Sequence, residues 1–337
     1  MKFWCVYRSV SEPSDKPTEE RNATMEHENL TVTRINLKTN CADRNELVAF
    51  CLRGEKQYLA IGWSYVYATE EQKGKIHAYQ DYYKAVRKSV KRMNHALNVF
   101  WGAKKDDLFW TRDLDGSYWI CRAVGEAQPY YDESMDIGAV LPVEAYQVGL
   151  DVPGQIKASF NRAHGGIAQN LYEESIIEFS KFLFNQKSGK SVYAYKKMNQ
   201  DILRNLPDFE LEELVISYLQ LKENYYLLSN SIAKKSTTVK VECELISRDL
   251  SNPRKAVVQV KGGSNKEIDA REYQAFVDTG YFVYLFAPRI LHQDKMNRVV
   301  EITKEELLAF YKEYRPILPE SITRWEDLFS VSSCEQG

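Results

Sequence analysis

The stretch from residue 239 to residue 263 constrains this chain most. Residues 239–247 read VKVECELIS and residues 255–261 read KAVVQVK; between them lie Arg248, Asp249, Ser251, Asn252 and Pro253. β-Branched runs bounded by turn formers are two strands joined as a hairpin. Successive side chains on a strand point to opposite faces. Gln259 and Lys261 therefore share one face, and Val258 and Val260 share the other. On the first strand Glu242 and Glu244 alternate with Cys243 and Leu245 in the same way. An amide and a lysine on an otherwise apolar strand, beside carboxylates, are unusual in a sheet that only packs. The plain alternative is an ion-pair ladder on a solvated face. The chemical reading is phosphodiester hydrolysis. A carboxylate and a carbonyl oxygen hold Mg²⁺, the ion lowers the pKa of a bound water, and the lysine orients that water or offsets developing charge.

The hairpin sits in a regular setting. Residues 208–222 form a helix with Leu211, Leu214, Val215, Tyr218 and Leu219 inward. Residues 269–279 form a second helix, and 281–287 an apolar strand. Thr303 caps a third helix with Glu305 and Glu306 in its first turn. The order α-β-β-α-β-α gives a mixed sheet with helices packed on it. Lys235 in the approach to the first strand and Lys266 after the Gly262-Gly263 turn are candidate phosphate contacts.

Upstream the pattern differs. Residues 3–8, 31–37, 58–65, 108–112, 117–124 and 145–150 read as strands. Residues 70–100 read as a helical segment with Ile76, Tyr79, Tyr83, Val86, Val90, Met93 and Leu97 near helical spacing. A small barrel or sheet with a helical insertion fits. Residues 170–186 are helical, and 185–191 form a polar break. With 337 residues and roughly 150 per domain, two domains are expected. They are 1–165, a connector at 166–200, and 201–337. In the first, Trp63 and Ser64 end an apolar strand. Trp110, Arg112 and Tyr118 belong to a hairpin turning at Asp113–Gly116. Trp and Tyr faces of this kind stack on bases, and Arg162 is placed to reach a backbone.

Composition removes several classes. Hydrophobic residues make up 44% and charged residues 27%, which excludes a disordered chain. The net charge of -2 leaves no global basic field, so any nucleic-acid site is a local patch. The six cysteines are scattered with no CxxC pair, which suggests reduced thiols, without zinc or a disulfide framework. No apolar run approaches the roughly 20 residues that span a bilayer. A cytoplasmic protein is expected.

The C-terminal segment, residues 201–312, resembles the Mrr-type branch of the PD-(D/E)xK nuclease superfamily. The resemblance rests on Gln259-Val-Lys261 as QxK, on Glu212-Glu213-Leu214-Val215 in the opening helix, and on the helix and strand that follow the lysine. The family commonly has Asp in the first strand; here the candidates are Glu242 and Glu244, with Glu242 favoured by its position before Leu245-Ile246. The resemblance implies Glu242, Gln259, Lys261 and Glu212 as catalytic residues, with Glu242, Gln259 and Glu212 on Mg²⁺, or Mn²⁺ in its place. The N-terminal half is similar to EVE-like members of the PUA superfamily through Ile61-Gly62-Trp63 and the 107–125 hairpin, although Asp106-Asp107 stands where Gly-Asp is usual. That implies a β-barrel reading modified or flipped bases through Trp63, Ser64, Trp110, Arg112, Tyr118 and Arg162. Together these imply a restriction or defence endonuclease acting on DNA. A single such site cuts one strand, so duplex cleavage implies a homodimer or two bound copies. The rivals are a non-catalytic nucleic-acid-binding or assembly protein on a degenerate nuclease fold, and an RNA-directed nuclease.

Overall fold

The computed structural model describes residues 30–89, 95–161, 166–196, 201–231, 241–263 and 265–329. The strand expected at 3–8, and the candidates Arg162 and Lys235, lie outside them.

In chain order the first half begins with β1 (Val32–Ile35), α1 (Arg44–Leu52) and β2 (Gln57–Ile61). Three short helices follow, α2 (Glu70–Lys73), α3 (Tyr79–Ser89) and α4 (His95–Gly102). Then come β3 (Leu108–Arg112), β4 (Tyr118–Ala123), β5 (Gln128–Asp132), β6 (Ile137–Gly149), α5 (Gly154–Phe160), β7 (Ala168–Leu171) and α6 (Glu174–Ser188). The strands make one curled seven-stranded sheet in the order β2-β6-β4-β3-β1-β7, with β5 added on β6. Among the described residues β2 and β7 do not pair, so this is an open sheet and not the closed barrel expected.

Two other expectations are corrected here. The helical segment at 70–100 is broken, because Gly74 ends α2 and Asp81 turns its carboxylate back onto the His77 and Ala78 amides ahead of α3. Residues 170 and 171 belong to a strand, since β7 pairs antiparallel with β1 before α6 starts.

Both faces of this sheet are covered. On β3, Leu108 and Trp110 face α6, while Phe109 joins a second cluster with Leu47, Tyr82 and Phe100 from α1, α3 and α4. Helix α3 buries Tyr79, Tyr82 and Val86 there. Each such side chain contributes roughly 1.5–3 kcal/mol on burial. At the Ile61–Ser64 crossing a Cβ on Gly138 would lie 2.6 Å from the Gly62 carbonyl, so only glycine lets the two chains approach. Tyr82 Oη donates to that carbonyl at 2.6 Å.

The second half opens with α7 (Ile202–Asn205), α8 (Asp208–Leu221), β8 (Tyr225–Leu227), β9 (Cys243–Ser247) and β10 (Lys255–Val260). It continues with β11 (Glu267–Asp269), a 3-10 turn, α9 (Gln274–Asp278), β12 (Phe282–Phe286), β13 (Arg289–Leu291), β14 (Val299–Glu301) and α10 (Lys304–Tyr314). The main sheet runs β14-β12-β10-β9-β8, and β11 and β13 form a separate parallel pair. β9 and β10 are antiparallel, whereas β10, β12 and β14 are mutually parallel. Thr303 caps α10 in a capping box with Glu306.

One buried cluster runs from Val32, Trp110 and Ile120 through Phe179 and Leu183 of α6 to Leu214, Val258 and Trp325. Helix α6 is thus packed between the two sheets. Phe179 and Trp325 have ring centroids 4.9 Å apart, and Arg324 Nη1 donates to the Asp151 carbonyl at 2.7 Å. Glu210 on α8 accepts from the Gly154 amide of α5. No helix among the described residues is long and apolar enough to cross a membrane.

Candidate nuclease centre

The face of β10 opposite α8 carries Gln259 and Lys261. Val258 and Val260 pack toward α8 with Leu211 and Leu214, while Val257 joins Ile268, Ala270 and Tyr273 on the other side. Cys243 pairs with Val258 across the hairpin, and the Glu242 amide donates to the Val258 carbonyl at 2.8 Å. This register puts Glu242 beside Gln259, whose Nε2 donates to Glu242 Oε1 at 2.6 Å and to the Val260 carbonyl at 3.0 Å. Glu244 lies further along, against Val257, and accepts weakly from Tyr281 Oη at 3.4 Å. Gln259 is 2% exposed, and its carbonyl Oε1 is buried with no donor facing it. A buried amide oxygen left unmatched is rare, because desolvating it costs about 1–3 kcal/mol.

Lys261 follows the strand, and its amide continues the ladder to the Phe286 carbonyl at 2.8 Å. Its ammonium makes no ion pair with a described residue. It lines two cavities. One, about 270 Å³, is walled by Gln259, Glu267, Asp269, Glu272 and Tyr273. The other, about 430 Å³, is walled by Arg204, Leu211, Gly262, Phe286, Thr303 and Lys304 among others. Gly263 turns the chain away with φ +80. Lys266 pairs with Asp208 at 3.0 Å at the start of α8.

Glu212 stands half-buried on α8, in the layer beneath β9. Burial raises the Cys243 thiol to about 12, and the charges of Glu242, Glu212, Glu213 and Glu244 add to the shift. Glu212 and Glu242 therefore both lie within electrostatic reach of Cys243. Among the described residues no three His, Cys, Asp or Glu side chains cluster as a ready cation site. The donor set that fits a hard cation is Glu242 with the orphaned Gln259 oxygen, since Mg²⁺ and Mn²⁺ take carboxylate and carbonyl oxygens.

The acids Glu267, Asp269 and Glu272 were missed by sequence reasoning. Glu267-Ile-Asp269 alternates around buried Ile268, the period-2 signal of a short strand presenting two acids to one side. Arg289 pairs with Glu267. Arg271 holds Asp269 well below the usual carboxylate range, and His292 Nδ1 meets Asp269 at 3.2 Å.

The N-terminal candidates divide. Trp110 is fully buried under α6, with Nε1 donating to Ser180 Oγ at 2.9 Å, so it presents no face to a base. The reason is the covered sheet: every inward position on β3 ends in a core. Ser64 is also committed, with Oγ donating to Asp136 Oδ1 at 2.7 Å. Trp63 is half-buried against the other cluster, that of Phe109 and Tyr82, in a left-handed conformation, φ 65. Arg112 and Tyr118 do come together. The Arg112 guanidinium lies 5.5 Å from the Phe160 ring and 5.9 Å from Tyr118. Tyr118 itself is 5% exposed.

The chain matches no family model and no curated protein. Among solved structures, it has a likeness to MspJI restriction endonuclease in complex with a 27-mer oligonucleotide. That alignment covers 68% of this chain and 65% of that one, at 10% identity with a TM-score of 0.22. The chain thus spans about 65% of the length of the chain it aligns with.

Proposed function

We propose that the chain is a metal-dependent endonuclease of restriction type, cutting DNA with the centre on β9 and β10. The observation that carries the reading is the orphaned Gln259 carbonyl oxygen beside Glu242, two residues from a lysine that makes no ion pair with a described residue and lines the same cavity. Glu242 and Gln259, with Glu212 nearby, would hold Mg²⁺ or Mn²⁺. When bound, such an ion supplies a water of lowered pKa and neutralises phosphate charge. Lys261 contributes a cation fixed at a strand end. It stabilises charge that grows on the phosphate oxygens as water attacks. Tyr273 lines the same cavity, and burial raises its phenol, with the charges of Glu272 and Glu242 adding to the shift. One centre cuts one strand, so duplex cleavage takes two copies of the chain. The N-terminal half supplies the contact that selects the DNA.

The test is cleavage of supercoiled plasmid with Mg²⁺ by the parent and by Lys261→Ala, with duplex binding measured in parallel. Cleavage should fall by about 10²-fold or more while binding persists. Equal cleavage by the two would remove Lys261 and the nuclease reading with it. Cleavage of single-stranded RNA in preference to DNA would redirect the reading to an RNA-directed nuclease.

A further inference from the structure

Helix α3 is amphipathic in an unbalanced way. Its buried stripe is Tyr79, Tyr82 and Val86. Its exposed side carries Lys84, Arg87 and Lys88, spaced so that i, i+3 and i+4 positions line up along one face. The sequence continues with Lys91 and Arg92, outside the described residues. Neighbouring cations are neutralised locally: Lys73 pairs with Glu70 at 2.7 Å, and Lys75 pairs with Glu71. No described carboxylate pairs with Lys84, Arg87 or Lys88. The helix's own acid, Asp81, is spent on the His77 and Ala78 amides. Like charges one turn apart weaken an isolated helix, and this row stands out in a chain of net charge -2. Beside it lies a groove of about 530 Å³ whose lining includes Tyr65, Lys75, Lys84 and Lys88, with Asp81 as its one carboxylate among the described residues. Tyr65 Oη and Ser89 Oγ meet at 2.6 Å and close one wall.

We propose that this helix face and groove dock the phosphodiester backbone of duplex DNA. DNA as the partner rests on the nuclease reading above. Lys84 and Lys88 are one helical turn apart, about 6 Å along the axis, close enough for both to engage one strand. The contact neutralises phosphates and carries no base readout, so it positions the duplex without selecting a sequence. It also relocates the DNA-facing surface of the N-terminal half away from Trp110, which is sealed in the core.

The experiment uses the full chain and a fluorescein-labelled duplex, read by anisotropy without divalent metal so that cleavage is silent. Titrations run across about 50 to 200 mM salt. The triple variant Lys84→Gln/Arg87→Gln/Lys88→Gln should bind about tenfold or more weakly at the lower salt. Its log–log salt slope should shrink by roughly 2 to 3, near 0.9 per lost phosphate contact. Lys84→Arg/Lys88→Arg should restore both, and Lys312→Gln on α10 should alter neither. Parental affinity and slope in the triple variant overturn the proposal, as does a parent chain that binds no duplex. Tighter binding of duplex RNA than of DNA overturns the choice of DNA. Lys261→Ala in the plasmid cleavage assay with Mg²⁺ separates the two readings. Cleavage by Lys261→Ala sinks the nuclease alone, and parental affinity and salt slope in the triple α3 variant sink the docking surface alone.

Discussion

Glu210 shows what one side chain costs in the wrong protonation state. It is 2% exposed, accepts from the Gly154 amide through Oε1, and has Oε2 buried without a partner. Burial pushes its carboxyl from 4.5 up to about 7, against the opposing pull of the Gly154 amide and Lys157 and with a small push from Glu173. The folded state therefore holds this proton more tightly than the unfolded chain does. Below about pH 4.5 both states are protonated and Glu210 costs nothing; the penalty grows as pH rises and is fully present above about 7, reaching roughly 3 kcal/mol. Glu210→Gln keeps an acceptor for Gly154 and removes the charge. Urea unfolding should find the variant more stable than the parent by about 1–3 kcal/mol at about pH 8 and nearly equal at about pH 4.5. An offset independent of pH would show that shape, not charge, governs the site.

At the scale of elements, the β9–β10 pair is the part that works as one unit. Its register, more than any single residue, brings Glu242 to Gln259. Calorimetry with Mn²⁺ checks this: Glu242→Ala and Gln259→Ala should each weaken binding by about tenfold or more, whereas Glu244→Ala should leave it near the parent. Parental Mn²⁺ affinity in Glu242→Ala would place the ion elsewhere. This hairpin was legible in the sequence because polar residues recur at every second position, Glu242 and Glu244 on one strand and Gln259 and Lys261 on the other, even though Val257 packs into an apolar cluster on that same side. The helix at 208–222 was legible from the helical spacing of Leu211, Leu214, Val215, Tyr218 and Leu219, although residues 214–219 are all buried. The N-terminal sheet was less legible. With both faces buried, Phe109 and Trp110 look alike in sequence although they enter different cores. The three-residue strands β8, β11, β13 and β14 offer at most one alternation, too little to separate a strand from the start of a helix. Asp269 was hidden that way, read as the start of a helix when it ends a strand.

For the whole molecule, the joint lies at α6. The helix follows the N-terminal sheet in sequence, yet its Phe179 packs on Trp325 near the other end of the described chain. It ends at Gly189 with φ +67, just before an exposed turn. A protease site placed at residue 190 should cut readily, but the two pieces should co-elute in size-exclusion chromatography and part only in denaturant. Separate elution in native buffer would show that the cluster from Val32 to Trp325 contributes little to holding the halves. Exchanging the N-terminal half between related chains would require carrying the facing surfaces of α6, α8 and the Trp325 region together.

The three parallel strands β10, β12 and β14 all run the same way, so Lys261, Phe286 and Glu301 arrive at one rim of the sheet. The larger cavity beside Lys261 is framed by the loops that leave that rim: Gly262-Gly263, Ala287-Pro288 and Ile302-Thr303. Loops at the carboxyl ends of parallel strands can change length and composition while the sheet beneath keeps its register. In evolutionary terms this separates two kinds of variation. Drift in these loops reshapes what fits next to the lysine, one loop at a time, without moving the lysine itself. Related sequences should accordingly differ most at 262–266, 287–289 and 302–304 while the strands between them hold their alternation.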